Sequence, residues 1–94
     1  MEDDGRPIFR TAGNLEMVKL LMELGTLFNV KDKHGKTPLS YAATSGHMDV
    51  VQYLASKGVD IYAKDVQLAN ENGHKSVANF LESIAGKYYN DLDF

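Results

Sequence analysis

The 94-residue chain contains no cysteine, so no disulfide framework or thiolate metal site is available and packing alone must hold the fold. Long apolar runs are also missing. The longest fall far short of a bilayer crossing, and the first residues show neither the basic nor the apolar segment of an export signal. There is no basic excess: 10 Lys and Arg stand against 13 Asp and Glu, and the formal charge of −3 argues against a general nucleic-acid binder. Neither membrane nor nucleic acid is expected as a partner, and the expected location is cytoplasmic or nuclear. The remaining composition, 44% hydrophobic and 24% charged, is that of a soluble globular chain, and the length supports one small domain.

Catalytic and ligand-binding motifs are scarce as well. There is no His-x-x-x-His pair, no calcium loop with its glycine and terminal glutamate, and no phosphate loop. His34 has no carboxylate or nucleophile at a spacing that suggests general-base work. No catalytic residue, metal or cofactor is therefore expected.

What the chain does have is punctuation for helices. Pro38 suits the first turn of a helix, where an N–H has no intrahelical partner, and the Thr37 hydroxyl can cap the start. Ala42 and Ala43 allow close approach of neighbouring elements, and Gly46 can take the left-handed conformation that ends a helix near Ser45. Met48, Val51, Leu54 and Ala55 then form one stripe of an amphipathic helix that closes at Gly58.

The order Asp32-Lys33-His34-Gly35-Lys36-Thr37-Pro38-Leu39, Tyr41-Ala42-Ala43, Gly46-His47, Val50, Val51, Tyr53, Leu54 and Gly58 resembles the ankyrin repeat. The resemblance implies an all-α fold, a short solenoid of stacked helix-turn-helix units with a finger loop between the first and second units and a shortened second finger. It divides the single domain, 1–94, into an N-terminal unit at about 6–31, a central unit at 32–64, a shortened capping unit at 65–87 and an acidic aromatic tail at 88–94. It also implies that His47 and His74 are structural, bonding backbone groups of the turn between paired helices. Ser40 stands where the family has a histidine, which leaves the usual hydrogen-bond link between adjacent fingers open to question.

Both flanks read as altered copies of the central unit. Glu2, Asp3 and Asp4 make an acidic leader, and Pro7-Ile8-Phe9 opens a short first helix. Leu15, Val18, Leu21, Met22 and Gly25 sit 33 positions before Met48, Val51, Leu54, Ala55 and Gly58. Glu16, Lys19 and Glu23 form the polar stripe with which a terminal unit meets water. Phe28 is expected at the root of the finger, Leu27 exposed beside it, and Asn29 bonded to backbone. In the third unit Asp65 reaches Gly73-His74 after eight residues, whereas Asp32 reaches Gly46-His47 after fourteen, so six are absent. Val66 to Asn72 supplies the first helix of that unit, with Ala69 matching Ala42, and Val77, Ala78, Phe80, Leu81 and Ile84 supply the apolar face of its second.

For function, the resemblance implies a non-enzymatic protein–protein interaction module that binds through finger tip and concave helix face. The expected contact residues are Lys31, Lys33, His34 and Lys36 on the finger with Tyr41, Thr44 and Ser45 on the following helix. Four basic residues around Asp32 favour a protein partner with an acidic surface. Two alternatives stand beside this: a scaffold or engineered repeat protein without a partner of its own, and a regulatory subunit that blocks an enzyme surface. The tail Lys87 to Phe94 has three readings: a solvated terminus, a segment packed over the last helix, or a linear peptide for another protein. A monomer is expected ahead of an oligomer, with self-association through tail and basic finger as the alternative.

Overall fold

The computed structural model describes residues 13–85, within which the chain forms five helices and no strand: α1 (Leu15–Glu23), α2 (Pro38–Ser45), α3 (Met48–Ser56), α4 (Ala63–Glu71) and α5 (Lys75–Ala85). The expected helix after Pro7 and the tail from Gly86 to Phe94 lie outside the described residues. Local chemistry accounts for the helix starts. The Asn14 side chain accepts the Met17 N–H at 3.1 Å to open α1. At α2, Thr37 Oγ1 accepts the Ser40 N–H and Ser40 Oγ accepts the Thr37 N–H, both at 3.1 Å, a reciprocal cap with serine in the place of the usual glutamate. Gly46, at φ +75°, ends α2 in the left-handed region.

These helices stack in two rows. α2 packs on α4 in one row, α1 on α3 and α3 on α5 in the other, and α2 on α3 and α4 on α5 join the rows. The seam repeats with the sequence. Val18, Val51 and Ala78 occupy one register position and are all buried, as are Leu54 and Leu81 at another, where Leu21 is half-buried. Val50, outside the single stripe read from the sequence, is also fully buried. Burial of a leucine or valine side chain contributes on the order of 1.5 to 3 kcal/mol, so this seam is the main cohesive element of the described fold.

The outward face of α1 departs from expectation. Besides Glu16, Lys19 and Glu23 it exposes Met17, Leu20 and Leu24, with Leu27 exposed beyond the helix as read from the sequence. The reason is register. Met17 matches Val50 and Val77, both buried on helices that pack on an earlier one, and no described helix precedes α1.

The third unit solves its missing segment by starting its helix early. α4 begins three residues before Val66, and Asp65, fully buried in its first turn, accepts the Tyr62 N–H at 2.9 Å and the Ser40 hydroxyl at 2.6 Å. The link between neighbouring units that Ser40 left in question is thus made by a different pair. Ser40 Oγ has one hydrogen to give and two lone pairs to fill, and Asp65, Thr37 N–H and Thr37 Oγ1 use all three. Among the described residues no buried side-chain polar atom lacks a partner.

The two turn histidines act differently from expectation. His47 makes no capping bond through its ring. Instead its imidazole lies over Gly13, and the imidazole of His74 lies over Gly46, so each histidine covers the glycine of the preceding unit. A Cβ at Gly46 would stand 2.6 Å from Cε1 and 2.7 Å from Cγ of His74, closer than any carbon contact allows.

Two measurements follow. Gly46→Ala should destabilise by about 2 to 4 kcal/mol in urea unfolding, combining left-handed strain with the clash. Adding His74→Ala to that variant should recover the steric part alone, and a simple sum of the two single effects would exclude the stacking. Asp65→Ala should cost on the order of 3 kcal/mol by leaving a buried hydroxyl and N–H unpaired. Burial raises the Asp65 pKa above its usual 3.8, against the opposing pull of Ser40, the Tyr62 N–H and Lys64. The folded state therefore holds this proton more tightly than the unfolded chain, and the contribution of Asp65 to stability falls as pH rises from about 3.8 through the folded value. Asp65→Asn, which cannot ionise, should gain on the wild type between pH 4 and 7.5, and a constant gap would contradict the assignment.

Candidate functional site

The loop between α1 and α2 is built around one carboxylate. Asp32 is buried, and its Oδ1 accepts the N–H groups of His34 at 2.8 Å and Lys36 at 2.9 Å. The Asp32 N–H donates to the Lys36 carbonyl at 2.9 Å, Gly35 N–H returns to the Asp32 carbonyl at 3.0 Å, and Tyr41 of α2 donates its hydroxyl to Oδ2. These bonds close a tight turn from Asp32 to Lys36 and tie it to α2. Burial by itself pushes the Asp32 pKa up, but the Tyr41 hydroxyl and the Lys36 and His34 N–H groups outweigh it, and the net shift is downward. The carboxylate is thus held charged inside a basic loop.

The turn sets its cations outward. Lys31, Lys33 and His34 are exposed and Lys36 is half-buried. The Lys36 ammonium lies 5.6 Å from the centre of the Tyr41 ring, and the Lys31 ammonium lies 4.8 Å from that of Tyr62. Lys64, at the start of α4, brings its Nζ within 3.6 Å of where a Cβ on Gly35 would stand, so a further cation reaches the same loop. Tyr62 and Lys64 escaped the sequence reading because they lie about thirty positions from the finger and approach it only once α4 starts early. A sequence signal did exist. Tyr62 replaces the asparagine that its 33-residue register partner Asn29 supplies, and Asn29 Oδ1 accepts the Asp60 N–H at 2.9 Å, as a backbone-bonding asparagine should. Burial first, then the charges of Asp60 and Asp65, raise the Tyr62 pKa, so its hydroxyl stays protonated at neutral pH.

The structure brings Lys31, Lys33, His34, Lys36 and Tyr41 together, but not all of the expected residues join them. Thr44 and Ser45 close α2 at its far end, about 10 Å of helix from the loop. Thr44 Oγ1 donates to the Ser40 carbonyl at 2.9 Å within the helix, and Ser45 is exposed. Chemically the assembled patch can attract carboxylates or phosphates through lysines held on a stiff turn, with two aromatic rings beneath them. Among the described residues no group of three His, Cys, Asp or Glu side chains is placed to hold a metal ion, and no helix is long and apolar enough to cross a membrane.

Residues 7–65 match the family model described as ankyrin repeats (3 copies). Protein phosphatase 1 regulatory subunit 27 of Mus musculus is 42% identical over 62 residues, 66% of this chain and 37% of that protein. Alpha-latrocrustotoxin-Lt1a of Latrodectus tredecimguttatus is 36% identical over 89 residues, 88% of this chain and 6% of the toxin. Ankyrin repeat domain-containing protein 63 of Homo sapiens is 40% identical over 70 residues, 68% of this chain and 18% of that protein. The chain therefore spans well under half the length of these relatives.

Tyr41→Phe should loosen the loop without emptying the core. The lowered Asp32 pKa means that its stabilising contribution is present above about 3.8 and is lost as pH falls through the folded value. Loss of one bond to a charged acceptor should cost about 1.5 to 3 kcal/mol at pH 7, and the gap to the wild type should narrow as Asp32 protonates. Nuclear magnetic resonance titration of the Asp32 carboxyl carbon should show its midpoint moving up in the variant; an unmoved midpoint would mean that the hydroxyl does not support the turn.

Proposed function

The chain belongs to the ankyrin repeat family, and from that premise we propose that it is a non-enzymatic protein–protein interaction module whose basic finger engages an acidic surface on a protein partner. The observation that carries this reading is the loop itself. Asp32 spends its carboxylate on the turn, so the backbone that carries the cations is preorganised and loses little freedom on binding. The titratable groups with displaced ionisation support the non-enzymatic part, since Asp32 and Asp65 are committed to backbone and hydroxyl donors and Tyr62 lies beneath a lysine. Lys31, Lys33, His34, Lys36 and Tyr41 are the assigned contacts, with Lys64 and Tyr62 added by proximity. Thr44 and Ser45 extend the contact along the concave side of α2 for a partner large enough to reach them. The protein acts as a monomer in the cytoplasm or nucleus.

A second reading has one observation in its favour. The mouse relative is named as a regulatory subunit of protein phosphatase 1, which favours a module that covers an enzyme surface. Both readings can be put to one set of experiments. Affinity capture from lysate at low salt, with the wild type and with Lys31, Lys33 and Lys36 changed to Glu, should give a partner that only the wild type retains, while the two melt alike. Dissociation constants should weaken at least tenfold in the variant and with added salt. Equal retention by both forms would remove the finger from the interface, and capture by neither would favour a scaffold. Excess chain added to protein phosphatase 1 should change its rate of dephosphorylation under the second reading; an unchanged rate would reject it.

A further inference from the structure

An apolar groove adjoins the basic finger, and one side chain belongs to both. At the α1–α3 seam the Lys19 and Lys57 ammonium groups lie 5.6 and 5.3 Å from the centre of the Tyr53 ring. At the α3–α5 seam the register partners of Tyr53 and Lys57 are the apolar Phe80 and Ile84. Among the described residues a groove of about 500 Å³ opens there, walled by Ala55, Ile61, Tyr62, Phe80 and Ile84, and it has room for one or two bulky side chains. Tyr62 is 38% exposed, and the Lys31 ammonium lies 4.8 Å from the centre of its ring. The same ring is therefore a wall of the groove and a support of the finger. A second tie holds the two features together: the Asp60 N–H, in the loop that lines the groove, donates to Asn29 Oδ1 at the root of the finger at 2.9 Å.

Charge divides this joined surface into two halves. On the finger side stand Lys31, Lys33 and Lys36, and Lys64 reaches the same loop from α4. On the groove side the walls are mainly apolar, and the acid among the lining groups is Asp60. A carboxylate brought to this surface is drawn to the lysines and repelled from the groove by Asp60. A bulky apolar side chain gains most by leaving water inside the groove. The two halves thus ask for different chemistry from one occupant, and Asp60 fixes which end of it goes where.

Building on the basic-finger reading, we propose that the partner presents an extended acidic segment with a bulky apolar side chain two or four positions from its carboxylates. The carboxylates lie over the lysines, and the apolar side chain passes Tyr62 into the groove against Ile61, Phe80 and Ile84. Side chains two positions apart in an extended chain share one side and stand about 7 Å apart, which lets one segment engage both halves. Once the acids are held, the apolar contact forms within the same complex and adds affinity and selectivity together.

The test uses the full chain and two fluorescent peptides, one with four consecutive glutamates and a leucine two positions beyond the last, the other with serine for that leucine. Anisotropy at low salt should show the leucine peptide binding at least tenfold more tightly. With the isoleucine methyl groups labelled, the leucine peptide should move the Ile61 and Ile84 signals and the serine peptide should leave them in place. Tyr62→Ala, whose backbone N–H still reaches Asp65, should bring the two affinities within about twofold of each other. The comparison of peptides on the wild type needs no variant and decides the matter even if Tyr62→Ala fails to fold. Equal affinities with unmoved methyl signals would overturn the shared site and leave the basic finger standing. Binding of neither peptide, or binding indifferent to salt and to Lys31, Lys33 and Lys36 changed to Glu, would overturn the finger reading and this inference with it.

Discussion

A single buried carboxylate joins the last pair of helices to the pair before it. Asp65 receives the Ser40 hydroxyl from α2 and the Tyr62 N–H from the short second loop, and both bonds cross or close the place where a full finger would otherwise run. Without them α4 would have no polar anchor at its first turn, and the unit would rest on α2 and α3 through apolar contact alone. Burial makes the charge costly, and two hydrogen bonds offset part of that cost. The third unit is therefore located by a polar contact of fixed direction, while the seam of Val18, Val51, Ala78, Leu54 and Leu81 supplies cohesion without direction.

The same economy governs the first loop, with the opposite electrostatic outcome. Asp32 and Asp65 stand 33 positions apart in the sequence, yet Asp65 lies in the first turn of its helix where Asp32 lies in a loop, and one is held below the ordinary carboxylate value and the other above it. The difference lies in their surroundings. Asp32 sits among backbone donors and a phenol near the surface of a basic turn, and Asp65 sits inside the stack with fewer donors. With the second loop six residues shorter than the first, Asp65 serves as an internal clasp, and among the described residues the projecting basic turn stands at the first junction.

Local signals in the sequence located the central unit closely. Thr37 and Pro38 open α2, Gly46 ends it, and the 33-residue spacing carried the register of α1 from that of α3, because each depends on residues within one turn or one repeat. What escaped depends on how units meet. The apolar face of α1 at Met17, Leu20 and Leu24 was hidden behind its polar stripe, since no feature of a helix by itself says whether a neighbour lies against it. The role of the two histidines required knowing that their rings point to the preceding unit. Within the candidate site, the cations of the finger were legible as a cluster in the chain, whereas Lys64 and Tyr62 arrive from the next unit and could be placed only once α4 was seen to begin at Ala63.

The histidine-over-glycine contacts give the stack a direction. His47 already occupies the seat at Gly13 and His74 the seat at Gly46, but among the described residues no atom stands within 4 Å of where a Cβ on Gly73 would be. Each imidazole thus reaches back to the unit before it, and the contact has the same sense at both junctions. One repeated pair of residue types therefore gives the described stack its polarity.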